Sequence, residues 1–418
     1  MISTHTCPLA TLGGKETGGM NVYVRDLSRE LGRRGIAVDV FTRQQNPDLP
    51  RISHRLGDNC RVIHVPAGPV SPYDKNQVYD HLPEFVQDIL AWAEREKLTY
   101  HVLHSHYWLS GAAALALRQR WGTPIVQMFH TLGHMKNSVA QRAVDLETER
   151  RISVETEIMA QADWLVAATL LERAQMTWLY GADASKIKVI PCGVDLSLFK
   201  PIPPAEAKAR LGLPPEHQMV LFVGRIEPLK GIDTLLRAMA RVVHQCANWQ
   251  KNLSVAIIGG DPAGSSSGVN AEMERLKKLR AELNISDLVV FLGAQDQDTL
   301  NIYYSAAQVV VMPSHYESFG MVALEAMACG TPVIASKVGG LVFTVQDGVT
   351  GFHVPERDPE ALAARIAQVL RDTRLRDRLG QKAMAWAQRY QWSTVANQII
   401  ELYGTAAANA TLARLACS

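Results

Sequence analysis

The sequence predicts an α/β protein made of two Rossmann-like domains in tandem, each a doubly wound parallel sheet covered by helices. Short apolar runs alternate with amphipathic stretches, the alternation pauses at residues 191–204, where four prolines occur, and it then restarts. Such alternation is typical of a parallel sheet with helices on both faces. The 418 residues suffice for two such domains. The loops after their strands would face a cleft between the domains.

Strand-like runs occur in both halves of the chain. In the first half they lie at residues 37–42, 61–65, 102–105, 125–129, 164–168 and 188–190. In the second half they lie at residues 219–223, 253–258, 288–292, 309–312, 331–335 and 351–354. Residues 20–34 have the spacing of an amphipathic helix. Residues 1–3 leave little of a first strand, so either that strand is short or the natural start lies upstream.

The composition favours a globular protein with small-molecule partners. Lysine and arginine exceed aspartate and glutamate by only two residues, so nothing supports bulk binding to nucleic acid or to anionic membranes. The six cysteines include no C-x-x-C pair, which excludes a zinc ribbon or a thioredoxin motif. A reducing cytoplasm is the simple interpretation. No apolar run reaches the ~18 residues of a membrane-spanning helix.

A glycine-rich segment, GGKETGG at residues 13–19, follows the first strand signal and opens a helix. Glycine allows the backbone to approach a ligand closely, and the N–H groups at a helix start favour an anion such as a diphosphate. A flexible loop without a ligand is an equally good interpretation of this segment alone.

Two cations follow the first strand of the second half. Arg225 and Lys230 lie five residues apart in the segment GRIEPLKG. At the carboxyl end of a strand, two cations can neutralise a diphosphate without a metal ion. The alternative is a pair of solvated surface charges.

A pair of glutamates is the sharpest signal. Glu317 and Glu325 are eight residues apart, so they would lie near one face if the whole segment were helical. We expect Glu317 at a strand–helix turn made by Gly320, and Glu325 inside the helix. A carboxylate in a cleft needs hydrogen-bond donors, which sugar hydroxyls supply. Two exposed glutamates fit poorly because the neighbouring residues are apolar.

Together these motifs resemble the retaining nucleotide-sugar glycosyltransferases of family 4, whose GT-B fold consists of two Rossmann-like domains facing each other across a cleft. The resemblance rests on GRIEPLKG, PSHYESFGMVALEAMACGTPVIAS, VGGL and DGVTGF, and it covers about residues 1–403. It implies a hexosyltransferase that uses a UDP-sugar, either UDP-GlcNAc or UDP-glucose. Neither a metal nor another cofactor is expected, because fixed cations would hold the diphosphate.

The resemblance also assigns the donor residues. They are Gly18, Gly19, Arg225, Lys230, Glu317, Gly320, Met321, Val322 and Glu325. Arg225 and Lys230 would hold the diphosphate. Glu325 would bind the ribose and Glu317 the sugar hydroxyls. With those two cations and Glu317, His130 would complete the catalytic set, beside the donor sugar.

The N-terminal half narrows the resemblance to members that glycosylate inositol phosphate. The segments that carry it are THTCPLATLGGKETGGMNVYV, HSHYWLSG, FHTLGHMKN and ETERRISVE. The acceptor residues it implies are Asn21, Lys75, Tyr107, Thr131 and Arg151. Cations combined with hydroxyl donors suit a phosphomonoester. The remaining charges of residues 147–151 are interpreted as a solvated helical face.

The acceptor has an alternative. Those relatives carry a Gly-Asp-x-Pro-Glu-Pro run where residues 142–147 read RAVDLE, and the GKETGG segment also resembles sucrose-phosphate synthases. The expected acceptor is therefore a phosphorylated polyol or sugar, with inositol phosphate or fructose 6-phosphate as examples.

A non-catalytic nucleotide-sugar binding module and a nucleotide-sugar epimerase are two further hypotheses for the function of the protein. Incubation of the donor with and without an acceptor would separate them.

The resemblance predicts three segments. Residues 1–195 would form the acceptor-binding domain and residues 196–385 the nucleotide-sugar-binding domain. Residues 386–418 would pack back toward the first domain and end in a mobile Ala-rich tail. A homodimer is a further expectation from the resemblance, although no sequence feature decides the oligomeric state.

Overall fold

The computed structural model describes residues 1–11, 17–71, 73–140, 142–245, 252–260 and 267–416. Residues 13–16 of the glycine-rich segment lie outside this part. The chain divides into two compact units. The N-terminal unit comprises Met1–Ala10, Gly19–Pro191 and Trp392–Ser418, and the C-terminal unit comprises Thr11–Gly18 and Cys192–Gln391. The changeover at residues 191/192 falls at the start of the proline-rich pause.

The N-terminal unit is built on a mainly parallel sheet. Its strands are β1 (Val38–Arg43), β2 (Ile52–Ser53), β3 (Cys60–Val65), β4 (Leu103–His106), β5 (Ile125–Met128), β6 (Trp164–Ala167) and β7 (Ile187–Val189). They form the runs β2-β3-β1 and β4-β5-β6-β7, in which only the β2–β3 pairing is antiparallel. Ile2 forms parallel bridges to Phe41 of β1 and Ser105 of β4. The short first strand therefore lies at the centre of the sheet.

Helices cover this sheet with apolar faces. They are α1 (Gly19–Arg33), α2 (Lys75–Val78), α3 (Leu82–Arg95), α4 (Trp108–Trp121), α5 (Gly133–Val139), α6 (Glu149–Gln161) and α7 (Leu170–Tyr180). Phe85, Ile89 and Trp92 of α3 are buried, as expected for residues spaced three or four apart on one helix face. A core cluster joins them to Trp108 of α4 and Phe41 of β1.

The C-terminal unit contains a six-stranded sheet in which every pairing is parallel. Its strands are β8 (Gln218–Val223), β9 (Leu253–Ile258), β10 (Val289–Gly293), β11 (Val309–Met312), β12 (Val333–Ser336) and β13 (Gly351–Val354). The order is β10-β9-β8-β11-β12-β13. The chain therefore builds the sheet outward from β8 on one side and outward from β11 on the other, the Rossmann order with its switch point between these strands.

The helices of this unit are α8 (Pro204–Arg210), α9 (Ile232–Gln245), α10 (Ser267–Glu282), α11 (Gln297–Ala306), α12 (Met321–Ala328), α13 (Leu341–Thr344), α14 (Pro359–Arg371) and α15 (Thr373–Ala387). Near-continuous apolar strands such as β11, which is buried throughout, are typical of a sheet covered on both faces. No helix in the described ranges has both the length and the apolar character needed to cross a bilayer.

The last helix, α16 (Trp392–Ala416), belongs to the N-terminal unit. There Arg34 donates a hydrogen bond to the carbonyl of Ser393 at 2.7 Å, and Tyr403 Oη lies 2.6 Å from His104 Nδ1. The Ala-rich stretch from residue 405, which the sequence predicts to be a mobile tail, is helical as far as Ala416. Alanine has the highest helix propensity of the amino acids, which explains this continuation.

Candidate functional site

The loops after β8 and β11 meet because these two strands are neighbours. Lys230 lies in the first loop and Glu317 in the second, 87 residues further along the chain. The ammonium of Lys230 donates a hydrogen bond of 2.6 Å to Glu317 Oε2, and both side chains are largely shielded from solvent. The structure thus brings together a cation and a carboxylate that the sequence predicts for the donor site.

A pair of glycines allows a third loop to support Glu317. Gly340 donates its backbone N–H to the carbonyl of Glu317 at 2.8 Å. Gly339 has a φ of +48°, and a Cβ placed there would lie 2.0 Å from the same carbonyl oxygen. Only glycine tolerates both that backbone conformation and that approach. The VGGL motif therefore has a local structural role beside Glu317.

Glu325 lies on the helix that follows Glu317. Gly320, with φ of +93°, precedes α12, and Met321 and Val322 are its first two residues. Glu325 is buried in α12 and accepts a hydrogen bond from Tyr304 Oη at 2.7 Å. Glu317 precedes this helix and Glu325 lies within it, which confirms the prediction of a turn position for the first glutamate and a helical position for the second. Glu317 is fixed by its loop and Glu325 by the helix.

Arg225 is the second predicted cation of the loop after β8. Its guanidinium forms an ion pair with Glu227 at 2.9 Å and keeps about a third of its side-chain surface exposed. A Cβ placed on Gly18, which belongs to the same unit, would lie 3.9 Å from Arg225 Nε. Gly19 begins α1 in the N-terminal unit.

Arg151 organises most of the predicted acceptor residues in the N-terminal unit. Its guanidinium donates to Tyr107 Oη at 2.9 Å and to the carbonyl and Oγ1 of Thr131 at 2.8 and 3.2 Å. Tyr107 directly follows β4 and Thr131 comes soon after β5, so adjacent parallel strands deliver them to one edge of the sheet. The Arg151 side chain is fully buried, and it also donates to Glu155 at 2.7 Å.

Lys75 joins this cluster through a carboxylate. Glu147 Oε1 lies 3.1 Å from Lys75 Nζ and 3.0 Å from Arg151 Nη1, and it also accepts a hydrogen bond from Lys136. Burial raises the pKa of Glu147, but the combined effect of Arg151, Lys75 and Lys136 is larger and opposite. The pKa of Glu147 therefore lies well below its usual range. Glu147 is buried, so its assignment to a solvated helical face is wrong.

Three members of this cluster, Glu147, Glu155 and Lys136, were not predicted as site residues. Both glutamates lie four residues from Arg151, a spacing that places charges on one side of a helix and could have indicated the network. Lys136 carries no comparable signal, because it comes from a different helix, α5. The fifth predicted acceptor residue, Asn21, donates instead to Thr6 Oγ1 at 2.6 Å and to the carbonyl of Cys7 at 2.7 Å.

His130 lies two residues after the end of β5 and has a φ of +62°. Its Nε2 lies 3.1 Å from Nδ1 of His106. Burial lowers the pKa of His130 to about 3, so its imidazole is neutral near pH 7. Within the residues that the structure describes, no group of three or more histidine, cysteine or carboxylate side chains could hold a metal ion.

Comparison with known proteins agrees with this architecture. Residues 17–198 match the family model Glycosyltransferase Family 4, and residues 205–386 match the model Glycosyl transferases group 1. D-inositol 3-phosphate glycosyltransferase of Acidothermus cellulolyticus is 43% identical over 409 residues, which cover 98% of this chain and 90% of the relative.

Two solved structures extend the comparison. Sucrose-phosphate synthase from Thermosynechococcus elongatus is 38% identical with a TM-score of 0.89, and 97% of each chain is covered. Anabaena HepE, solved in complex with UDP-glucose, is 21% identical with a TM-score of 0.73, and the match covers 95% of this chain and 98% of HepE. At that identity HepE indicates the fold alone.

The two Rossmann-like units and the matched models define a glycosyltransferase of the GT-B fold. The chain belongs to glycosyltransferase family 4, the family of its D-inositol 3-phosphate glycosyltransferase relatives.

The buried histidines predict that folding stability falls with acidification. Burial lowers the pKa of His5 and His130 to about 3, and it places those of His104 and His106 well below their usual value. From about pH 6.5 down toward the depressed values, the unfolded chain takes up protons that the folded chain excludes. Each such histidine therefore lowers the free energy of unfolding progressively as the pH falls through that range.

Thermal unfolding measured between about pH 7.5 and about pH 5 tests this loss of stability, because the histidines of the unfolded chain take up protons over that range. We expect His5→Gln to lose less in Tm over this range than the wild-type protein. His101→Gln, which changes an exposed histidine, should follow the wild-type curve. Equal slopes for both variants would contradict the account.

Proposed function

We propose that this enzyme transfers a hexose, with retention of anomeric configuration, from UDP-GlcNAc or UDP-glucose to a hydroxyl of a phosphorylated polyol or sugar such as inositol phosphate. The observation that carries the proposal is the convergence of Lys75, Tyr107, Thr131 and Arg151 on one place in the N-terminal unit. Two cations and two hydroxyl groups are the partners that a phosphomonoester needs. The 43% identity to a D-inositol 3-phosphate glycosyltransferase supports the same acceptor class.

The donor residues of the proposal lie in the C-terminal unit. Lys230 and Arg225 would neutralise the diphosphate, and Glu317 would accept hydrogen bonds from the sugar hydroxyls. The Glu317 carboxylate accepts a hydrogen bond from Lys230, and its backbone carbonyl accepts one from Gly340, which supports this role. The first residues of α12 would add backbone N–H groups near the phosphate. A UDP-sugar is the donor that the resemblance of the sequence motifs implies.

The proposed reaction breaks the bond between the anomeric carbon and the diphosphate and forms a bond from that carbon to the acceptor oxygen. The departing diphosphate receives the acceptor's hydroxyl proton on the face from which it leaves, which gives net retention. Arg225 and Lys230 stabilise the negative charge that develops on the diphosphate. His130, neutral near pH 7, contributes a ring nitrogen or its backbone oxygen as a hydrogen-bond partner of the sugar.

Fructose 6-phosphate is the second candidate acceptor. It is favoured by the 38% identity and the TM-score of 0.89 to a sucrose-phosphate synthase. The proposed phosphate-binding residues, Lys75, Tyr107, Thr131 and Arg151, are compatible with either acceptor, because they would contact only the phosphomonoester.

A donor-by-acceptor matrix read by mass spectrometry tests the proposed function. UDP-GlcNAc and UDP-glucose are each combined with inositol phosphate, fructose 6-phosphate and a glycerate phosphate, and with the unphosphorylated counterparts. We expect transfer to a phosphorylated acceptor and NMR of the product to show a retained anomer. Product formed equally from unphosphorylated acceptors, product without any acceptor, or an inverted anomer would each contradict part of the proposal.

The donor assignment predicts that Lys230→Ala and Arg225→Ala weaken UDP binding. Loss of one charge-assisted contact costs about 1.5–3 kcal/mol, which corresponds to roughly ten- to a hundredfold in affinity. Isothermal titration calorimetry with UDP measures this. Lys278→Ala, which removes a lysine that is 80% exposed in the same unit, is the control and should leave the affinity unchanged. Wild-type affinity in both site variants would refute the donor assignment.

The acceptor assignment predicts a selective effect of Lys75→Ala. We expect KM for the phosphorylated acceptor to rise roughly tenfold, because one charge-assisted contact to the phosphate is lost. The reaction with the unphosphorylated counterpart should change little. Lys188→Ala, at an exposed position of the same unit, is the control. Equal slowing of both acceptors by Lys75→Ala would show that Lys75 does not recognise the phosphate.

A further inference from the structure

One carboxylate oxygen lies at the meeting point of the cations in the acceptor cluster. Glu147 Oε1 is within 3.1 Å of Lys75 Nζ and within 3.0 Å of Arg151 Nη1, and it accepts a hydrogen bond from Lys136 Nζ. These cations come from three helices, α2, α6 and α5. A position that a single anionic oxygen shares with three cations has the electrostatic character of a phosphate-oxygen site.

The charge balance of the cluster favours a ligand with more negative charge than one carboxylate. Arg151 is already paired with Glu155, which is fully buried. Glu147 then supplies one negative charge against the two lysines. A phosphomonoester carries about −1.5 to −2 at pH 7 and presents three acceptor oxygens, so it matches two ammonium groups better than a carboxylate does.

The two glutamates of the cluster are held differently. Glu155 Oε2 accepts directional hydrogen bonds from the backbone N–H of Gly133, at 2.9 Å, and from Tyr180 Oη. Those donors are buried with it, so moving Glu155 would leave them without their partner. The carboxylate of Glu147 is instead held by cations, which a phosphate can satisfy equally well.

The backbone at Glu147 is fixed independently of its carboxylate. Its N–H donates to Asn137 Oδ1 at 2.7 Å, and its carbonyl accepts from Asn137 Nδ2 at 3.4 Å. Thr148 then caps α6 by accepting the N–H of Arg151. Rotation of the side chain about its Cα–Cβ bond would therefore leave the hydrogen bonds of the loop and the helix start intact.

We propose that Glu147 is a displaceable internal anion that competes with the acceptor's phosphate for Lys75 and Lys136, and that Lys136 is a further phosphate-binding cation. The inference rests on the proposed function only in taking this cluster as the acceptor-phosphate site. Displacement requires the incoming group to offer more charge than one carboxylate. Glu147 therefore discriminates against acceptors that carry a single carboxylate or no anion.

The proposal predicts the direction in which Glu147→Gln changes the affinity for an anion. If Glu147 competes with phosphate, Glu147→Gln frees the lysines and tightens anion binding. If Glu147 instead positions the lysines for the phosphate, the same substitution weakens binding. Glu149→Gln is the matched control, since it removes the same charge from an exposed position two residues away.

Isothermal titration calorimetry with inorganic phosphate provides the readout. We expect Glu147→Gln to bind phosphate on the order of tenfold more tightly than wild type, as one repulsive charge beside the site is removed. Glu149→Gln should match wild type, and Lys136→Gln should bind on the order of tenfold more weakly. The double variant Glu147→Gln with Lys75→Ala should lose this gain in phosphate affinity. That loss would show that the phosphate binds at this cluster and not at the donor cations.

Unchanged or weaker phosphate binding by Glu147→Gln would overturn the proposal, as would wild-type binding by Lys136→Gln. Glu147→Asp, whose shorter side chain draws the carboxylate away from the lysines, should tighten binding in the same direction and serves if Glu147→Gln folds poorly. In turnover, Glu147→Gln should lower KM for the phosphorylated acceptor with kcat little changed. Tighter phosphate binding without transfer to any phosphorylated acceptor would leave this inference standing and remove the proposed function.

Discussion

The strand order of the C-terminal sheet determines where its charged loops meet. β8 and β11 are neighbours although two other strands lie between them in the chain, because the sheet grows outward in opposite directions from this pair. The loops that follow β8 and β11 leave the sheet at the same edge. Because these strands are not consecutive in the chain, no connecting helix joins one directly to the other. Lys230 and Glu317 consequently form an ion pair across 87 residues of sequence. The close approach of Gly339 and Gly340 to Glu317 follows from a second pairing, that of β11 with β12.

In the N-terminal unit the corresponding constraint is burial of a guanidinium. A charged group that is removed from water is stable only when its donors are satisfied. Arg151 meets this condition with Tyr107, Thr131 and two carboxylates, and those partners come from different elements. The network holds these side chains in place, so that in the proposed function a phosphate would meet side chains that are already oriented.

In the proposed function, recognition of the acceptor's phosphate and discrimination between acceptor rings depend on different residues. In the proposed function, Lys75 and Arg151 bind the phosphomonoester that both candidate acceptors share, whereas an inositol ring and a fructose ring differ in their hydroxyl groups. The chain is similar both to a D-inositol 3-phosphate glycosyltransferase and to a sucrose-phosphate synthase. The identity of the polyol or sugar must then depend on side chains that contact the ring.

The amino-acid sequence by itself determined the elements and the fold class. Apolar periodicity and turn residues act over a few positions, so the predicted strand at residues 253–258 agrees with β9, and the predicted run at 37–42 is shifted by one residue from β1. The motifs around Lys230 and Glu317 were likewise readable, since they are contiguous segments. Ile2 was harder to interpret, because a strand this short is stabilised by pairing with both neighbours rather than by its own pattern.

Only the tertiary structure decided which charges share one place. Glu147 was interpreted as a solvated residue and Lys136 was not singled out, because a local pattern does not reveal that α2, α5 and α6 bring charges to the same point. The direction of a pKa shift depends on that geometry as well, since burial and nearby cations act through space. For this reason the sequence indicated a family and a set of candidate residues, whereas the packing of the helices determined that a carboxylate occupies the centre of the cationic cluster.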